Sequence, residues 1–184
     1  MEDKIPIIYE DIVQEINYDT LPNNWIKTNL ESFSKDIQLF EYQQNALKNA
    51  IKLLYNYFEE VKPYQILESE TEGIERKKEW CNNFKESEKI LIEKLGYSNK
   101  NYKQLFEKIE ECYEIKETGN ERQIEFFNLV NRMGFWMATG SGKTIVLVKM
   151  VEILTNLINV KLIPNNNILI LAPREDLIDQ IKHI

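Results

Sequence analysis

In the stretch FWMATGSGKTIVLVKM, residues 135–150, a short apolar run leads into two glycines, a lysine and a threonine, and a second apolar run follows. Binding a polyphosphate requires backbone N–H groups that can close around oxyanions, a cation, and a helix N-terminus whose partial positive charge faces the ligand. Gly140 and Gly142 remove the Cβ atoms that would block close approach. Lys143 has the reach to meet β and γ phosphates, and Thr144 carries a hydroxyl suited to Mg²⁺, which makes these two the candidate catalytic residues. Thr139, Ser141 and Ile145 complete the loop and its passage into the helix, so the cofactor-binding segment is expected over 139–145. Met137 stands where the strict GxxxxGKS/T pattern has its first glycine. The bland alternative is a glycine turn that only precedes a core helix.

These residues need elements that hold them in place. The run 135–138 reads as a strand and 143–159 as a helix. In NILILAPREDLIDQI the run 168–171 reads as a fully buried parallel strand, turning at Ala172 and Pro173 into a helix that starts near Glu175. Strand, helix and strand in that order are the sequence form of a βαβ unit and a parallel sheet. Upstream, over 38–58, Leu47, Ala50, Ile51, Leu54, Tyr57 and Phe58 recur at helical spacing, which predicts a helix buried on one side. The middle of the chain reads as short charged helices over 86–95, 102–115 and 121–133, closed by Gly96, Gly119 and Gly134. The first stretch, with Pro6 and Pro22, has no clear period.

A chain of 184 residues has room for one domain with an appendage. With 23 Lys and Arg against 30 Asp and Glu, its net charge of −7 argues against a surface that coats nucleic acid, while leaving a local DNA contact open. Most of the excess acid falls in 59–125. Cys81 and Cys112 lie far apart and outside any metal-type cluster, so neither a zinc site nor a disulfide framework is expected, and a reducing, cytoplasmic compartment fits. The longest apolar run, 145–158, is interrupted by Lys149, Glu152 and Asn156, and no membrane segment is expected.

The segment MATGSGKT resembles motif I of superfamily 2 helicases and translocases, and APREDLIDQ resembles their motif Ia. The upstream LFEYQQNAL is similar to the helicase segment in which a glutamine at a helix start reads adenine. Together the three segments resemble the start of the DEAD/DEAH-type helicase domain in restriction-enzyme R (Res) subunits, type III above all, with type I next. The resemblance implies that Gln43 donates to adenine N7 and accepts from its N6 amino group; Phe40 and Glu41 replace the family's usual Arg and Pro, so Phe40 is the residue expected to stack on the base. It implies that Pro173 and Arg174 face DNA phosphates, the guanidinium gripping two oxygens. For Gln43 the alternative is a polar helix start; for Arg174 it is a solvated residue paired with Glu175 or Asp176.

The fold class expected on these grounds is α/β: an incomplete RecA-like P-loop domain with a truncated parallel sheet, an N-terminal helical region and a helical insertion. Residues 1–59 would hold the adenine-reading segment, 60–133 the charged insertion, and 134–184 the start of the P-loop domain. The insertion is either a scaffold or a partner-binding accessory. ATP and Mg²⁺ are the implied cofactors; duplex DNA and modification or specificity subunits are the implied partners. Ile184 falls within or just after the motif Ia helix, and no Asp-Glu pair of the DExH kind follows a later strand. The expectation is therefore an N-terminal piece of an ATP-driven DNA motor, inactive by itself. Two other readings stay open: a different P-loop enzyme such as a small-molecule kinase, and a helical interaction module without catalysis.

Overall fold

A computed structural model describes residues 9–84, 115–118, 121–124, 127, 130–135 and 137–171. The chain divides into two compact units, each discontinuous in sequence: 12–68 with 134–184, and 1–11 with 69–133. The first carries the glycine loop, the second most of the acidic middle.

In the loop-bearing unit, α2 spans Glu41–Tyr55 and runs on into a π-type turn, Asn56–Glu60. A second long helix, α4, spans Lys143–Asn159. Leu47 and Ile51 recur one turn apart on α2, and Val146, Ile153 and Leu157 share a face of α4. Those faces pack together, joined by Leu21, Trp25, Leu30, Leu39 and Ile163, to form the core of the unit. Leu47 and Ile51 are fully buried, which on side-chain transfer alone stabilises the unit by about 1.5–3 kcal/mol each. Polar ties fix the surrounding loops. Asn156 Nδ2 donates to Thr28 Oγ1 at 2.9 Å, and Lys52 Nζ donates to the Val13 carbonyl at 2.9 Å, just inside the short helix α1, Glu10–Glu15.

The other unit is built on α3, Glu70–Asn82. Its start is a capping box: Ser69 Oγ accepts from Glu72 N–H at 3.3 Å, and Glu72 Oε2 accepts from Ser69 N–H at 2.7 Å. Trp80 and Phe84 are buried, and Tyr9 meets both rings edge-on, at 6.2 and 5.8 Å between centroids. Burial pushes the Tyr9 hydroxyl up to about 12. An antiparallel hairpin, β1 Ile115–Thr118 with β2 Glu121–Ile124, pairs Ile115 with Ile124 and Thr118 with Glu121.

Four expectations fail here. The parallel sheet of a RecA-like α/β fold is not formed: among the described residues the one sheet is the two-stranded antiparallel hairpin. Both expected strands, 135–138 and 168–171, are coil where described, with Phe135 partly exposed and Leu169 and Leu171 at 79% and 83% exposure. A strand is stabilised by a neighbour that bonds its ladder and covers its faces, and among the described residues none lies alongside either segment. Third, the helix expected over 121–133 begins instead as β2. In sequence a Gly-Asn pair reads equally as a helix stop and as a hairpin turn, and the helix stop was the reading taken at Gly119. Likewise Ile115, the expected end of a helix over 102–115, opens β1. The rest of that helix, and the one over 86–95, lie outside the described residues.

Amide exchange tests the coil assignment. The amides of Leu169 and Leu171 are expected to exchange at least about a hundredfold faster than those of Leu47, Ile51 and Leu53, whose opening follows the unit as a whole. Equal protection in a monomer would show that 168–171 is held in a sheet.

Candidate functional site

The glycine loop begins with a tight turn. Ser141 N–H donates to the Ala138 carbonyl at 3.3 Å, and Gly140, third in that turn, has φ +79°, the sign that a type II turn requires at this position. Ser141 Oγ donates to the same carbonyl at 2.7 Å. Gly142 then caps α4 in the left-handed region, φ +75° and ψ 34°, with no side-chain cap of its own. The α4 start thus carries no capping side chain of its own, which leaves its first backbone N–H groups without the partner that a cap residue would supply.

Lys143 folds back over this loop. Its ammonium donates to the carbonyls of Met137 at 2.9 Å and Ala138 at 2.7 Å. These bonds hold the charge at the loop, where phosphate oxygens, being anionic, would make stronger partners than neutral carbonyls. Thr144 is half-buried one residue on, Thr139 is exposed, and Ile145 packs on the core beneath.

The second half of the site comes from the start of α2. Gln43 is buried, and its carboxamide is used at both ends: Oε1 accepts from Phe40 N–H at 2.9 Å, and Nε2 donates to the Ser141 carbonyl at 2.9 Å. The first bond closes the helix start, as a polar helix-start glutamine would. The second crosses to the glycine loop. Tyr42 Oη donates to the same Ser141 carbonyl at 2.9 Å. Phe40 and Tyr42, both exposed, lie with rings parallel, 5.7 Å apart and 9° from coplanar.

The structure therefore brings Phe40, Gln43 and 139–145 together, although Gln43 and Ser141 are 98 residues apart in sequence. Pro173 and Arg174 lie outside the described residues. Tyr42 escaped the sequence reading: it is the tyrosine immediately before the glutamine, and helix periodicity does not reveal that its hydroxyl meets the same Ser141 carbonyl. Among the described residues no group of three or more His, Cys, Asp or Glu could hold a metal, and no helix is long and apolar enough to cross a membrane.

Around the loop the two glycines differ: a Cβ built at Gly142 would stand 2.5 Å from Gln43 Nε2, so glycine there admits the Gln43 carboxamide, whereas one built at Gly140 meets nothing within 4 Å, so the loop is open on that side. Such a loop, with a lysine and a threonine opening the following helix, is the equipment of nucleotide-dependent enzymes. The family model for type III restriction enzyme res subunits matches residues 36–183, about four-fifths of the chain, and the chain belongs to that family. The matched region is an ATP-dependent, helicase-like domain of restriction systems. Comparisons with curated proteins and with solved structures give no match.

The two loop glycines should differ when substituted. Gly140→Ala meets open space and costs about 1–2 kcal/mol for a left-handed alanine alone. Gly142→Ala adds the collision with Gln43, displacing its hydrogen bonds, for a total of about 2–4 kcal/mol. Urea unfolding of both variants, repeated in a Gln43→Ala background, checks this: there the two costs should converge, and an undiminished gap would place the strain elsewhere.

Proposed function

We propose that the loop 138–144 grips the triphosphate of ATP and that this chain supplies ATP-binding and DNA-contacting parts of a restriction motor acting on duplex DNA. The observation that carries the reading is the bare start of α4, at Gly142, with the Lys143 ammonium held against the loop carbonyls beside it.

Residue by residue, the chemistry is as follows. Gly140 and Gly142 let the loop amides approach phosphate oxygens, and the first turn of α4 adds its dipole. The Lys143 ammonium, held on the Met137 and Ala138 carbonyls, would meet β and γ phosphate oxygens as stronger, anionic partners. The Thr144 hydroxyl would hold Mg²⁺. Bound Mg-ATP supplies the phosphoanhydride whose hydrolysis drives movement along DNA. The Gln43 carboxamide has two N–H groups and two acceptor sites; Ser141 and Phe40 use one of each, which leaves one donor and one acceptor for an adenine edge. Phe40, exposed on the α2 side of the loop, is the stacking face for that base. Pro173 and Arg174 face DNA phosphates, and modification or specificity subunits are the protein partners.

Nucleotide binding to Lys143→Ala and Gln43→Ala separates phosphate grip from base reading. Lys143→Ala should weaken ATP and GTP alike. Gln43→Ala should lower the ATP/GTP affinity ratio by roughly 5- to 150-fold, the worth of a bidentate base contact at about 1 to 3 kcal/mol. An unchanged ratio in a folded Gln43→Ala variant would leave Gln43 as a helix-start and loop-tying residue only.

A further inference from the structure

We infer that Tyr42 is a positioning residue for the phosphate grip, acting through the Ser141–Gly142 peptide; the inference rests on the polyphosphate reading above. The Ser141 carbonyl accepts two hydrogen bonds from adjacent residues of α2, Tyr42 Oη at 2.9 Å and Gln43 Nε2 at 2.9 Å. The described chain has no cis peptide bond, so the Ser141 carbonyl and the Gly142 N–H point in opposite directions across one rigid plane. Holding the carbonyl toward α2 therefore turns the Gly142 N–H away from α2 and leaves it to an anion. This peptide can reverse unless it is held. Gly142 has no Cβ to favour one sign of φ, and with φ +75° it sits where a reversal of the plane meets little steric resistance.

The two donors are not equivalent. Gln43 is buried, closes the helix start through Phe40 N–H, and is the residue proposed to meet the base. Tyr42 is half-exposed, and the hydroxyl bond to Ser141 is independent of the base edge. It keeps the peptide oriented whatever the carboxamide does. The ring itself stacks on Phe40, so Tyr42→Phe removes the hydroxyl and retains the ring pair.

The experiment measures competition by ATP and by inorganic tripolyphosphate, which has no base, against a fluorescent ATP analogue on the full chain. In Tyr42→Phe both competitors should weaken about three- to tenfold, the worth of one intramolecular hydrogen bond, with the thermal midpoint within a few degrees of wild type. In Tyr42→Ala tripolyphosphate should weaken at least as much. Tripolyphosphate binding at wild-type strength in folded Tyr42→Phe overturns the inference. So does the pattern of a purely stacking residue, in which Tyr42→Ala weakens ATP and spares tripolyphosphate. The failure of the underlying reading looks different: wild type and Lys143→Ala would then bind tripolyphosphate equally, or not at all.

Discussion

One buried carboxamide joins the two halves of this site. Gln43 starts α2 through Phe40 N–H and crosses to the Ser141 carbonyl, so the direction of α2 and the shape of the glycine loop are set by the same side chain. Burial makes the constraint strict, because a carboxamide that loses a partner away from water forfeits about 1–3 kcal/mol. It also explains why Gly142 must be glycine twice over: the backbone is left-handed there, and a Cβ would occupy the place of Gln43 Nε2. The core beneath enforces the same alignment. Leu47 and Ile51 lie one and two turns beyond Gln43, while Val146 and Ile153 lie one and three turns beyond Gly142, and these faces pack on each other.

The contact between two segments about a hundred residues apart survives a long intervening stretch for a reason of chain statistics. The cost of closing a loop grows only with the logarithm of its length, about 0.6 kcal/mol for each doubling. Most of the intervening residues, 69–133, group with 1–11 in a compact unit separate from the one that carries Gln43 and Ser141. What ties 43 to 141 need only exceed that slow logarithmic cost, and the shared core of α2 and α4 acts in the same direction as the polar bonds.

Much of this was legible in the sequence, and the parts that were not share a cause. The helix over 143–159 could be read because apolar spacing and the glycine start agree, and both are local. The glycines at 140 and 142 could be read as loop positions that must lack a Cβ, and the structure adds a left-handed backbone at both. The strands at 135–138 and 168–171 were misread because their apolar composition states a preference for burial, while a strand exists only by virtue of a partner that the segment itself does not encode. The hairpin at 115–124 was lost to an ambiguity: a Gly-Asn pair stops a helix and turns a hairpin with equal ease. Tyr42 was lost because its role depends on a partner 99 positions away.

Lys149 and Glu152 show how a residue that excludes one fold supports another. As interruptions of an apolar run they argue against a membrane span. In the folded unit the Lys149 side chain is only 4% exposed, and its ammonium meets Glu152, 47% exposed, at 3.0 Å one turn on. A lysine can take such a place because its four-carbon stem packs as hydrocarbon and only the terminus must find charge or water. Its half-exposed carboxylate limits what the ion pair itself contributes, since solvent screens that end. The pair is thus better understood as a condition that permits burial than as a source of stability: it lets the α4 face between Val146 and Ile153 continue into the core past a charged position, and so keeps the start of that helix, with Gly142 and Lys143, anchored where the loop requires it.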